Sequence, residues 1–314
     1  MSERLFDEAF LRRLERLALV ARRASIGQTQ GERRSQKRGQ SVEFSDFRPY
    51  VTGDDFRRID WNAYARLERF FIKLFVEEED LAVHMLLDTS RSMDWGEPNK
   101  LWYAARVAGA LGYIALTGLD RVTITGLGSA NNGASSAANG SGSYFPPHRG
   151  KQQALAMFDF LTNISRPRGP QEQPRAGFDP HKALAQYAAT RANAGPRPGS
   201  LILISDLLHE GWIEGLRALS SRGFEVSVIH ILAPEEVDPD LDGDLKLIDS
   251  EDASAVEITA DYDLIARYKT GLAEWRETIA RFCAARSMIY VPLTTAMPLE
   301  ELLFSWLERQ GVIR

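Results

Sequence analysis

Two apolar runs in this chain each end on an aspartate. Leu81-Ala-Val-His-Met-Leu-Leu87 runs into Asp88, and Ser200-Leu-Ile-Leu-Ile-Ser205 runs into Asp206. A continuous apolar run of this length, without polar alternation, belongs to a strand buried on both faces, as in a parallel sheet. The stretches between and after these runs have helical character. Leu101–Leu119, residues 150–164, His181–Ala194, Trp212–Ser221 and Asp261–Arg286 all read as helices. Further strands are expected at Asp120–Leu127, Phe224–Leu232 and Met288–Leu293, and a closing helix at Pro298–Gln310. Ser143-Tyr-Phe-Pro-Pro147 reads as a weaker strand, and its prolines suit a sheet edge. Strands alternating with helices predict an α/β fold: a doubly wound, mostly parallel sheet with helices on both faces.

The domain division follows from where that alternation begins. Residues 1–80 precede it and form a smaller N-terminal α+β region: an amphipathic helix, a loop and short strands. Phe6, Phe10, Leu14 and Leu17 recur at helical spacing within it. Residues 81–314 form the larger domain. A Gly/Ser/Asn-rich stretch at 128–142 reads as a flexible loop, and a β-hairpin insert is expected at about 235–260, with strands at Leu245–Asp249 and Val256–Thr259.

Composition narrows the class. The 314 residues allow one large domain or two unequal ones. At 44% hydrophobic and 26% charged residues, the chain is ordinary for a globular protein and can bury a large core. One cysteine, Cys283, excludes an internal disulfide framework and a cysteine-rich zinc site. It fits a reducing cytoplasm, which is the expected location. No window is apolar enough for a membrane span, and the N-terminus lacks the apolar core of a signal peptide. Residues 1–40 carry ten basic against five acidic side chains, within a net charge of −5 overall. No aromatic residues interleave with the basic run, so nucleic acid is not an expected partner.

The two aspartates carry the chemistry. Ligands of open α/β sheets bind at the carboxyl ends of strands, where strand order reverses. In a turn leaving a strand, residues i, i+2 and i+4 can point the same way. Asp88, Ser90 and Ser92 then present one carboxylate and two hydroxyls to one point. An all-oxygen set of hard donors suits Mg²⁺, which keeps several waters and takes few protein carboxylates. Asp206 can join directly or through a water. The plainer alternative is that Asp88 caps the following turn.

Enzymatic readings fit less well. A phosphatase using Asp88 as nucleophile needs a second carboxylate two residues on, where Ser90 stands. No Gly-x-Ser-x-Gly elbow and no Gly-x-x-x-x-Gly-Lys-Ser/Thr loop is present. His84 and His230, inside apolar strand patterns, read as hydrogen-bonded core residues. His209, close after Asp206, reads either as a residue bordering that site or as a plain loop histidine. The Asp-, Arg- and aromatic-rich segment around Gly53-Asp54-Asp55 and Ile59-Asp60-Trp61 reads as a packing layer against the α/β domain, with a partner-docking surface as the alternative.

Asp88-Thr-Ser-Arg-Ser92-Met93 after an apolar strand resembles the metal-ion-dependent adhesion site of von Willebrand factor A domains. Upstream, Gly39-Gln-Ser-Val-Glu43-Phe44, Arg48-Pro49-Tyr50, Gly53-Asp54-Asp55, Arg57, Ile59-Asp60-Trp61 and Ala65-Arg66 resemble the signature of the bacterial "domain of unknown function 58" family. Tyr268, Trp275 and Pro298-Leu-x-x-Leu-Leu303 fit it as well. The resemblance implies a von Willebrand factor A-like fold and a non-enzymatic adaptor. It implies work beside a MoxR-type AAA+ ATPase in assembling or remodelling protein complexes. The runner-up is a structural or interaction protein with a vestigial metal site that docks through its N-terminal region. The resemblance places metal ligands at Asp88, Ser90, Ser92 and Asp206. It departs at Ala176-Gly177-Phe178-Asp179, where the family has a threonine and this chain has Phe178, which carries no oxygen donor. Either Asp179 or another group substitutes, or the site is degenerate. Many relatives carry N-terminal membrane helices, and a soluble version is implied here.

Overall fold

The computed structural model describes residues 5–17, 43–51, 56, 59–76, 81–128, 143–166, 180–191, 199–209, 211–249, 254–309 and 312. The Gly/Ser/Asn stretch at 129–142, the Gly53-Asp54-Asp55 turn, Arg57, and Ala176–Asp179 with Phe178 lie outside them.

In chain order the elements are α1 (Glu8–Leu14), β1 (Glu43–Pro49), α2 (Trp61–Leu67), β2 (Phe71–Val76), β3 (Ala82–Asp88), α3 (Lys100–Thr117), β4 (Arg121–Leu127), β5 (Tyr144–Arg149), α4 (Ala154–Ile164), α5 (Pro180–Arg191), β6 (Ser200–Ser205), α6 (Trp212–Ser221), β7 (Glu225–Leu232), α7 (Pro234–Val237), β8 (Gly243–Ile248), β9 (Ala255–Ala260), α8 (Tyr262–Ala284) and β10 (Ile289–Thr294). The closing helix is not uniform: Leu302–Trp306 is a π-helical stretch between short α-turns at Leu299–Glu301 and Leu307–Arg309.

The chain divides into two compact units, Ala24–Asp80 and a larger one made of Met1–Arg23 with Leu81–Arg314. This differs from the division expected at residue 80, because α1 belongs with the larger unit. Its apolar stripe is the cause: Phe6, Phe10 and Leu14 are buried in the same core as α3 and α4. Phe6 stacks on Phe10 at 5.2 Å and meets Phe158 edge-on at 5.3 Å.

The larger unit is built on a six-stranded sheet in the order β10-β7-β6-β3-β4-β5. All neighbours are parallel except β5, which runs antiparallel to β4 at one edge, where Pro146 and Pro147 are tolerated. Both faces are covered, so the strands need apolar residues on both sides. Val83, Met85 and Leu87 of β3 face one core, with α1, α3, α4 and the closing helix. Leu86 faces the other, with residues of α5, α6 and α8. The same alternation divides Ile202 and Ile204 from Leu201 and Leu203 on β6. Helix α3 is buried nearly all round, and a Cβ built on Gly112 would lie 2.5 Å from Met157 Sδ. That glycine lets α3 and α4 approach closely. The insert hairpin is present: β8 and β9 pair antiparallel from Gly243↔Ala260 to Ile248↔Ala255.

In the smaller unit, β1 and β2 pair antiparallel with an irregularity between Phe44 and Asp46. Asp60 caps α2, accepting from Asn62 N at 2.9 Å and Ala63 N at 3.2 Å. Tyr64 and Phe70 stack at 4.4 Å, with Trp61 edge-on to both. Phe56 and Trp61 are 65% and 61% exposed.

Candidate functional site at the β3–β6 strand ends

The sheet reverses at β3. From β3 the chain crosses by α3 to β4 on one side, and after β5 it returns to β6 on the other. The carboxyl ends of β3 and β6 therefore lie side by side, with Leu87 opposite Ile204. Such a reversal opens a crevice at the strand ends.

Asp88 closes β3 and is 6% exposed. One carboxylate oxygen accepts from Ser90 N at 2.9 Å, and the other accepts from the Ser205 hydroxyl at 2.6 Å. The Ser205 hydroxyl in turn accepts from Leu207 N at 2.9 Å. Thr89 is fully buried and anchors the departing loop: its N–H and hydroxyl both donate to Leu127 O, at 2.7 and 2.5 Å. The turn then brings the Ser90 and Ser92 hydroxyls to 3.0 Å of each other. Asn99 ends the loop by capping α3, accepting from Trp102 N at 3.0 Å and donating to Asp94 at 2.9 Å.

Asp88, Ser90, Ser92 and Asp206, expected from the sequence to converge, are thus brought to one corner. Burial pushes the Asp88 carboxyl up to about 6, and the neighbouring Asp206 charge adds to that rise. The hydrogen bonds from Ser205 and Ser90 act the other way. One carboxylate and two adjoining hydroxyls are hard oxygen donors, which can hold a cation of magnesium type. Among the described residues no group of three or more His, Cys, Asp or Glu side chains could hold a metal ion. Any such site here would rest on hydroxyls as much as on carboxylates.

Asp206 is engaged in a way the sequence did not reveal. Lys100, the first residue of α3, is fully buried, and its Nζ donates to Asp206 Oδ2 at 2.9 Å and to Glu236 Oε1 at 2.5 Å. The second Glu236 oxygen accepts from Ala233 N at 2.7 Å. The other Asp206 oxygen accepts from Leu208 N at 3.3 Å. One signal was available. A lysine opening an apolar helix sits at the wrong end of the helix dipole, so it calls for a specific acidic partner.

His230 holds the Asp206 backbone. Its Nε2 lies 3.0 Å from Asp206 O and its Nδ1 2.7 Å from the Tyr290 hydroxyl. A carbonyl only accepts, so Nε2 carries the proton and Nδ1 accepts from Tyr290. Burial first, then Arg276, push its pKa down to about 4, which keeps the ring neutral. His84 is likewise paired, with the Tyr187 hydroxyl at 2.7 Å. Both are core histidines, as expected. His209, in the loop after Asp206, accepts from Gly211 N at 3.0 Å.

Comparison with known proteins adds a family. The model described as "Protein of unknown function DUF58" matches residues 46–278. An uncharacterised protein of Mycobacterium tuberculosis is 28% identical over 275 residues, covering 85% of this chain and 79% of its own length. One from Mycobacterium bovis matches equally. Among solved structures, BatB from Bacteroides thetaiotaomicron overlaps with a TM-score of 0.42 at 15% identity, over 74% of this chain and 98% of that one. An aerotolerance-related membrane protein from Bacteroides fragilis gives 0.42 and 15%, over 73% and 99%. No helix among the described residues is long and apolar enough to cross a membrane.

Proposed function

This chain belongs to the DUF58 family of proteins of unknown function, and from that premise we propose that it is a non-enzymatic protein-binding module. In this reading the larger unit is a von Willebrand factor A-like domain. Its Asp88, Ser90 and Ser92 form an adhesion-type site for Mg²⁺, and the partner is a MoxR-type AAA+ ATPase. The observation that supports it is the convergence of the Asp88 carboxylate with two hydroxyls 3.0 Å apart, at the point where the sheet reverses. A magnesium ion with few protein ligands offers an open position to a carboxylate of the partner protein.

The test is binding between this chain and a purified MoxR-type ATPase from the same organism, with Asp88→Ala as the comparison. The reading predicts saturable binding by the wild type and a loss of tenfold or more in the variant. Equal binding by both proteins removes the metal from the account, and no binding by the wild type removes this partner.

A second reading keeps the interaction role but moves it to the smaller unit. It is favoured by Trp61, Tyr64 and Phe70, exposed aromatic side chains that pack ring against ring, as side chains of interaction surfaces do when they cluster in the open. Trp61→Ala separates the two readings, since it lowers partner binding only in this one.

A further inference from the structure

Lys100 is the feature that the reading above leaves unused. Its side chain is fully buried, at the N-terminus of α3 where the helix dipole disfavours a cation. A buried ammonium persists only when it is paired and hydrogen-bonded. Here it is held from two sides, by Asp206 at 2.9 Å and by Glu236 at 2.5 Å. Glu236 is itself fixed by Ala233 N, and its backbone carbonyl accepts from the Tyr268 hydroxyl at 2.6 Å. Both Asp206 oxygens are therefore engaged, one by the ammonium and one by Leu208 N. At the same strand ends, the Ser90 and Ser92 hydroxyls lie 3.0 Å apart, next to Asp88, which accepts from Ser90 N.

We infer that Lys100 is a resident cation of this site: it occupies Asp206, confines a divalent ion to Asp88, Ser90 and Ser92, and weakens its binding there. The inference deepens the metal-assisted reading and rests on the same corner of the fold. The physical argument is one of charge and access. An ammonium already neutralises the carboxylate that a metal would otherwise recruit, and like charges in a buried site repel strongly. The result is a weak, exchangeable ion rather than a permanently bound one.

The test is Mn²⁺ binding by the full chain, read by electron paramagnetic resonance, with folding checked by circular dichroism. The main variant is Lys100→Gln combined with Glu236→Gln, which leaves net charge unchanged and frees Asp206. It is expected to bind Mn²⁺ at least tenfold more tightly than the wild type, and adding Asp206→Asn is expected to abolish the gain. Equal affinity of the folded double variant and the wild type, including no binding by either, overturns the inference. Should the double variant fail to fold, Glu236→Gln alone decides. It leaves the ammonium to Asp206 and is expected to weaken Mn²⁺ binding several-fold, and unchanged affinity overturns the inference. Asp88→Ala keeps the two claims apart. If wild-type binding depends on Asp88 but the double variant binds no better, only the role of Lys100 falls. If the double variant binds while the wild type does not, Lys100 is the cause and the Mg²⁺-dependent reading of the native protein falls.

Discussion

Cys283 has no exposure, and burial pushes its thiol up to about 11. Both facts protect it, because the thiolate is the reactive form. A pKa raised above the usual 9.0 keeps the thiol protonated, so its contribution to stability is complete below pH 9 and lost as pH rises toward 11. At pH 8 the native protein is expected to resist a thiol-specific disulfide reagent, and in denaturant to react with one equivalent. Rapid reaction of the native protein would contradict its burial. Lys100 makes the opposite kind of statement, since it is buried and charged. Lys100→Met strands Asp206 and Glu236, and removing one side of a buried ion pair costs about 3–5 kcal/mol. Urea unfolding in EDTA measures this, and a loss below about 1 kcal/mol would mean that the triad is not what holds the corner. Local patterning could not reveal these contacts, because the partners of Lys100 stand 106 and 136 positions along the chain. Asp88, Ser90 and Ser92 were legible because their spacing is local and Asp88 ends a visible strand.

Among the elements, legibility followed burial. Strands β3, β6 and β7 are apolar on both faces and could be read directly, as could α3. The hairpin of β8 and β9 was visible from its turn-rich flanks. The spacing in α1 predicts an amphipathic helix but not the unit it joins, because a stripe shows that a helix packs without showing against what. Its partners lie far along the chain: Phe10 meets Phe304 edge-on at 6.3 Å, and Arg13 pairs with Glu300 at 2.9 Å. The family match begins at residue 46, so it leaves α1 outside although α1 fills part of the core. Phe10→Ala is therefore expected to destabilise the larger unit by about 3 kcal/mol, as truncation of a buried aromatic does. A change within about 0.5 kcal/mol, measured by denaturant unfolding, would show that α1 is dispensable.

At the scale of the whole molecule, the larger unit is assembled from two separate parts of the sequence, with Ala24–Asp80 as a compact unit between them. Its sheet reverses at β3 and sets Asp88 beside Asp206. Parallel sheets place binding sites at such reversals, and here the corner holds hydroxyls, the carboxylates of Asp88, Asp206 and Glu236, and a buried lysine. The proposed adaptor role depends on whether that corner takes a divalent ion in the native protein. Isothermal titration with Mg²⁺ of the wild type and of Asp88→Ala tests this most directly. The account predicts weak, saturable binding of one ion by the wild type and a loss of tenfold or more in the variant. Equal affinity in the two proteins, or heat from neither, would contradict it.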